Sequence, residues 1–240
     1  MIGVTFEGIE KRFAHEGGTR TILQHLNLEV APGEVIALVG RSGCGKTTLL
    51  NLAAGLTRAD EGRLTFSAPP RVGYVFQDAR LLPWLTLEGN LTLVQPNVTA
   101  ARVSHELARV GLAGRQRDYP SQLSLGMAQR AAVARALIIE PNLLLLDEPF
   151  GALDELTANE LRAELLRLLQ QTRATTLLVT HNPIEAVMLA DRIVIIAGRP
   201  ARERHVIDVN AQLDRSRPFD DPRVWALSRK VIDLLGHEAA

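Results

Sequence analysis

The sequence predicts an α/β fold on a mainly parallel sheet, and three short apolar runs carry that expectation. Val35-Ile36-Ala37-Leu38-Val39 leads into Gly40-Arg41-Ser42-Gly43-Cys44-Gly45-Lys46-Thr47. Leu143-Leu144-Leu145-Leu146 leads into Asp147-Glu148, and Thr176-Leu177-Leu178-Val179-Thr180 leads into His181. Unbroken apolar runs of this length suit strands buried on both faces. In open parallel sheets the residues that follow such strands gather at the edge where ligands bind.

The first run opens the strongest motif. A glycine, four free positions and Gly-Lys-Thr form the P-loop pattern, and Thr48 to Ala54, closed by Gly55, supplies the helix that must follow it. A phosphate chain approaches bare backbone only where side chains stay clear. Gly40, Gly43 and Gly45 therefore let the amides of Arg41, Ser42, Cys44 and the helix start at Thr48 converge on it. Lys46 places a point charge on the outer phosphates, and the Thr47 hydroxyl is a ligand for Mg²⁺. The plain alternative is a glycine-rich strand-to-helix turn that binds nothing.

The second run ends in two carboxylates, which a buried strand carries only for a reason, because unpaired buried charge is costly. Asp147 is expected to hold Mg²⁺, directly or through water, and Glu148 to polarise an attacking water as general base. The third run ends at His181, and Asn182-Pro183-Ile184-Glu185 reads as a helix start with Asn as cap, Pro in the first turn and Glu three positions on. A lone His is usually structural. One at the same sheet edge as the P-loop and the acids is expected to read the terminal phosphate.

The remaining elements follow in order. Val4 to Phe6 and Leu26 to Val30 alternate apolar and polar residues around a loop at 15–19, so the chain opens with an antiparallel β part. Phe13, near the end of the first strand, is either core or a platform for a nucleotide base. Strands at Arg63 to Ser67 and Val72 to Phe76 flank the turn Ala68-Pro69-Pro70. Gln77 then reads as a solvated strand end or as a metal or water ligand. Residues 78–139 are helical, clearest at Ala101 to Val110 and Ala128 to Ile138, which suggests an inserted α-helical lobe. Within it, Leu81-Leu82-Pro83-Trp84-Leu85 is either a small buried core or a partner-docking surface. A strand at Arg192 to Ile196, a mixed surface tail from Arg199 to Pro222 and an amphipathic helix at Val224 to Leu235 complete the chain. The expected organisation is a single domain: 1–77 and 140–200 as the nucleotide-binding core with its antiparallel part, 78–139 as the helical lobe, and 201–240 as a C-terminal extension.

Composition bounds the function. At 240 residues the chain can bury a large core, and 27 basic against 27 acidic residues give no sequence-wide attraction to nucleic acid, so none is expected as a partner. One cysteine excludes an intrachain disulfide and fits a reducing compartment. No run approaches the ~20 apolar residues that span a bilayer, and no signal peptide is visible, so a soluble, cytoplasmic protein is expected.

With these residues in place the chain resembles an ABC transporter ATP-binding subunit, over essentially its whole length. The motif order is Gly40 to Thr47 as Walker A, Gln77 as Q-loop, Leu123-Ser124-Leu125-Gly126-Met127 as signature, Leu143 to Glu148 as Walker B, Ala152-Leu153-Asp154 as D-loop and His181 as switch histidine. The resemblance implies an ABC ATPase fold and a head-to-tail dimer, with ATP and Mg²⁺ between the P-loop of one subunit and the signature helix of the other. Ser124 and Gly126 would contact the γ-phosphate of the opposite site, Phe13 would stack on the base, and Asp154 would communicate across the interface. Gln77, Thr47 and Asp147 would organise the metal, and Lys46, Glu148 and His181 would carry catalysis. The segment Asp78 to Trp84 is similar to importers of the nitrate, sulfonate, taurine and aliphatic-amine group. That similarity implies a membrane permease, indirectly a solute-binding protein, and a peripheral place on the cytoplasmic face of the inner membrane. Two positions depart from the family pattern: Leu125 replaces the first signature glycine, and Asn182 replaces an Asp that it matches as a helix cap. The rival readings are a P-loop small-molecule kinase, a non-transport ABC ATPase, and an interaction protein that binds ATP without hydrolysing it.

Overall fold

The computed structural model describes residues 1–15, 18–151, 153–213 and 221–237. In chain order these form β1 (Val4–His15), β2 (Gly18–Val30), β3 (Val35–Val39), α1 (Lys46–Ala53), β4 (Glu61–Phe66), β5 (Val72–Val75), α2 (Leu87–Val94) and α3 (Ala100–Arg109). A short 3-10 turn (Pro120–Gln122) precedes α4 (Leu125–Leu137), β6 (Leu143–Asp147), α5 (Glu155–Thr172) and β7 (Thr175–Thr180). Then come α6 (Pro183–Leu189), β8 (Arg192–Ala197), β9 (Arg202–Asp208) and α7 (Pro222–His237). They divide into two compact units, Met1–Pro69 with Ala174–Ala240, and Pro70–Arg173.

The first unit contains two sheets. In the antiparallel one, β1 lies between β2 and β4. Leu26, Leu28 and Val30 are buried while Asn27 and Glu29 face solvent, the alternation expected of a strand with one covered face. These strands run well beyond the predicted segments. β1 extends to His15 and β2 starts at Gly18, so the expected loop at 15–19 is mostly ladder, with Ala14 paired to Thr19 and His15 to Gly18. Glu16 and Gly17 lie outside the described residues.

In the second sheet β3 pairs in parallel with β7 on one side and β8 on the other, and β9 adds antiparallel to β8. All five residues of β3 and all six of β7 are buried, as their unbroken apolar runs require. The buried Asp191 carboxylate accepts the Val35 N–H at 2.9 Å and the Asn210 side-chain N–H at 2.9 Å, which fixes where β3 begins. Within the mixed surface tail expected from Arg199, the chain forms the strand β9. Its residues are mostly polar and charged because an edge strand covers one face only, so it lacks the apolar run that announces a central strand. Residues 214–220 of that expected tail lie outside the described residues.

The second unit holds the parallel pair β5 and β6 together with α2, α3, α4 and α5. Each helix start uses the cap that the sequence offers: Thr86 accepts from the Gly89 N–H, Thr99 from Arg102, Ser124 from Met127 and Asp154 from Thr157. Helix α4 begins at Leu125, three residues before its predicted apolar stretch. Glu106 is fully buried between Arg102 and Arg109, at 3.0 and 2.9 Å, so its charge is paired rather than stranded. Among the described residues no helix is long and apolar enough to cross a membrane.

Candidate active site

In the first unit, β3 delivers the chain into the glycine loop and α1 carries it away. Gly40 sits so close to β8 that a Cβ there would lie 2.2 Å from the Ile196 carbonyl oxygen and 2.9 Å from the Cys44 sulfur, so no other residue fits. Gly45, at φ 100°, is the N-cap of α1, and no side chain caps that helix end. Its first amides are therefore left to an anion, as P-loop chemistry requires. Lys46 is only 4% exposed. Its ammonium donates to the carbonyls of Gly40 at 2.7 Å and Arg41 at 2.9 Å, and lies 3.9 Å from the Cys44 sulfur. The loop is thus folded around its own cation, while Arg41, Ser42, Gly43 and Thr47 are exposed on its outer side and Thr48 is half-buried.

The strand register places His181 beside this loop. Val39 pairs with Thr180, so Gly40 and His181 are the next residues on neighbouring parallel strands. His181 is exposed, and Asn182 caps α6 by accepting the Ile184 N–H at 2.9 Å. The Glu185 carboxylate does not complete a capping box here. It accepts the Thr180 hydroxyl instead. Phe13 is 44% exposed with the Lys11 ammonium 5.2 Å from its ring centroid, so it is not a core residue.

In the second unit, β6 ends at Asp147, which is 5% exposed. Glu148 follows at φ 44°, a backbone conformation that a non-glycine residue adopts at a cost, and its carbonyl accepts the Gly151 N–H at 3.0 Å. Burial, and next the Asp147 charge, raise the pKa of the Tyr74 phenol, which stays protonated. Gln77 is exposed just beyond β5. Among the described residues no three His, Cys, Asp or Glu side chains gather as a metal cage. Asp154 is exposed at the start of α5, its pKa lowered chiefly by the Thr157 backbone N–H; Ala152 of the same motif lies outside the described residues.

The ABC transporter family pattern matches residues 23–151. The chain belongs to the ABC transporter family. Among curated ABC relatives, aliphatic sulfonates import ATP-binding proteins of Rhodococcus jostii and Rhizobium johnstonii are 43% and 44% identical to it. The first aligns over 93% of this chain and 90% of the relative, the second over 97% and 92%. Among solved structures, a dimeric ATP-binding cassette in a post-hydrolysis state with ADP and Pi superposes at a TM-score of 0.76 and 26% identity, over 86% of this chain and 98% of that one. As an ABC ATPase, this chain binds ATP and hydrolyses it in the service of transport.

Several residues that hold the ABC motifs in place went unnoticed in the sequence. Gln129 on α4 donates to the Phe76 carbonyl at 3.3 Å, just before Gln77. Arg135, its pKa lowered by burial, donates to the carbonyls of Ala79 and Arg80 at 2.8 and 2.7 Å. Asn90, fully buried, bonds the Leu82 amide and the carbonyls of Leu82 and Leu85, and so shapes the loop that presents Trp84. Trp84 itself is 70% exposed, so the Leu81 to Leu85 cluster is not a closed core.

Gly126 packs against α5: a Cβ there would fall 2.6 Å from the Thr157 methyl. Gly126→Ala is expected to lose roughly 1–3 kcal/mol of stability by overpacking, read as a lowered unfolding midpoint. Adding Thr157→Ser, which removes that methyl, should restore most of the loss; no restoration would show that the clash is not the cause.

Proposed function

We propose that this ABC ATPase energises an importer of small organic sulfonates, within the broader nitrate, sulfonate, taurine and aliphatic-amine group. Similarity to two aliphatic sulfonates import proteins along nearly the full chain supports the substrate class. The observation that carries the chemistry is the glycine loop folded around a buried Lys46 at an uncapped helix start.

The residues fit ATP. The backbone amides of 40–48 would receive the phosphates, and Lys46, already desolvated, would exchange its carbonyl partners for phosphate oxygens. Phe13 offers an exposed ring for the base. Mg²⁺ suits the hard oxygen donors of Thr47, Gln77 and Asp147, and would neutralise phosphate charge when bound. Such an ion takes most of its ligands from phosphates and water, so it needs no protein cage. Glu148 would accept the proton of the attacking water as oxygen bonds to the γ-phosphorus and the bond to ADP breaks. His181 would donate to the terminal phosphate, and Lys46 would stabilise the transferred charge. Residues 78–139 would form a helical lobe distinct from the core at 1–77 and 140–200, with 201–240 as an extension.

Two copies, or this chain and a near relative, would pair so that Ser124 and Gly126 complete the partner's site and Asp154 reports on it. Closure would drive a permease docked near Trp84, a solute-binding protein would deliver the solute, and the subunit would sit on the cytoplasmic face of the inner membrane. Leu125 is 55% exposed as the first residue of α4 and is not part of the buried core. Leu125→Gly is therefore expected to leave the ATPase rate unchanged or raise it. A large loss would show that the leucine has become part of the site.

The test of the transport reading is uptake of a labelled alkanesulfonate by cells that carry the chain with its permease. Uptake should require this chain and vanish with Lys46→Ala; uptake that persists would refute the reading. Phosphate release without any acceptor separates it from a P-loop kinase.

A further inference from the structure

We infer that Glu185 is the positioning residue for His181, acting through the Thr180 hydroxyl. This rests on the reading that His181 contacts the terminal phosphate. Glu185 is 5% exposed, on a helix whose next four residues, Ala186 to Leu189, are also buried. A carboxylate in such a place is costly unless its bonds serve a purpose, and an apolar residue would pack more cheaply.

Its bonds lead to the histidine turn. The Thr180 hydroxyl donates to Glu185 Oε2, and the Thr180 hydroxyl oxygen in turn accepts the Asn182 N–H at 3.0 Å. The residues immediately before and after His181 are therefore tied to each other and to α6. Because the carboxylate orients the hydroxyl proton, the hydroxyl lone pair is left facing the Asn182 amide. Thr180 is also in register with Val39, the last residue before the glycine loop. The backbone of His181 is thus clamped to the strand that bears the phosphate cradle, while the residue itself is exposed. Loss of the carboxylate would let the hydroxyl rotate and the turn drift, without touching the loop that binds ATP.

The experiment compares steady-state ATPase of the full chain with Glu185→Ala, Glu185→Gln, Thr180→Val, Thr180→Ser and His181→Ala, with unfolding midpoints measured in parallel. The inference predicts that Glu185→Ala and Thr180→Val lower kcat by about tenfold or more, since small misplacement of a reacting group is expensive, with KM for ATP nearly unchanged. Glu185→Gln and Thr180→Ser, which keep the acceptor and the hydroxyl, should retain most of kcat. Thr180→Val keeps the side-chain shape and guards against a folding defect in Glu185→Ala. Near-normal kcat in both, with His181→Ala inactive, would overturn the inference and leave the His181 reading standing. Losses that track the unfolding midpoint and raise KM, with no rescue by Gln or Ser, would also overturn it. An active His181→Ala would remove the His181 reading itself.

Discussion

Glu148→Gln should bind ATP as the unaltered chain does and release phosphate about 10²–10⁴ times more slowly, the usual contribution of a positioned general base. The amide matches the carboxylate in shape and takes no proton from water. The surroundings argue for function at this position. Glu148 follows a strand whose five residues are all buried, and it holds φ 44°, which costs roughly 1–3 kcal/mol for a side-chain-bearing residue. The 3.0 Å bond from the Gly151 N–H to its carbonyl keeps that turn closed. A carboxylate placed by strained backbone at the end of a buried strand has a defined direction, which is what a base needs. Measured together, nucleotide binding and phosphate release separate the two roles. Normal release in this variant would remove Glu148 from the mechanism.

Lys46→Ala should act one step earlier, on binding. Hydrogen bonds to charged groups contribute about 1.5–3 kcal/mol, so ATP affinity is expected to fall by roughly 10–150-fold. The structure makes the reason specific. The ammonium is almost entirely withdrawn from water and is held by two backbone carbonyls of the loop itself. Its desolvation has been met in folding, so phosphate meets a preorganised charge rather than a hydrated one. Titration of the variant with ATP would show the loss; an affinity within a few-fold of the unaltered chain would mean that the amides alone hold the nucleotide.

The central strands, the P-loop and the Asn182 cap were legible in the sequence for physical reasons. A strand covered on both faces must be apolar at every position, so β3, β6 and β7 stand out as unbroken runs ending in polar residues. Caps are short-range, so Asn182 could be read from its neighbours. β9 was not legible, because an edge strand mixes charge with apolar residues and resembles a surface tail. Gln129, Arg135 and Asn90 were missed because a polar residue in a helix looks solvated until the carbonyl it serves is brought beside it by the fold. Glu185 was read as a capping acid from its spacing. Burial decided otherwise, since it faces Thr180 on the strand behind it. On its own residues Phe13 was open between core and base platform, the family resemblance made it a base platform, and its exposure settles only that it is not core.

The most direct test of the account is a crystal structure of the Glu148→Gln variant with MgATP. The account predicts two copies enclosing the nucleotide, with Lys46, Thr47 and His181 of one copy, its Asp147 and the substituted position around the γ-phosphate, and Ser124 and Gly126 supplied by the other. A nucleotide held by the glycine loop with Asp147 and position 148 turned away from its phosphates would contradict it.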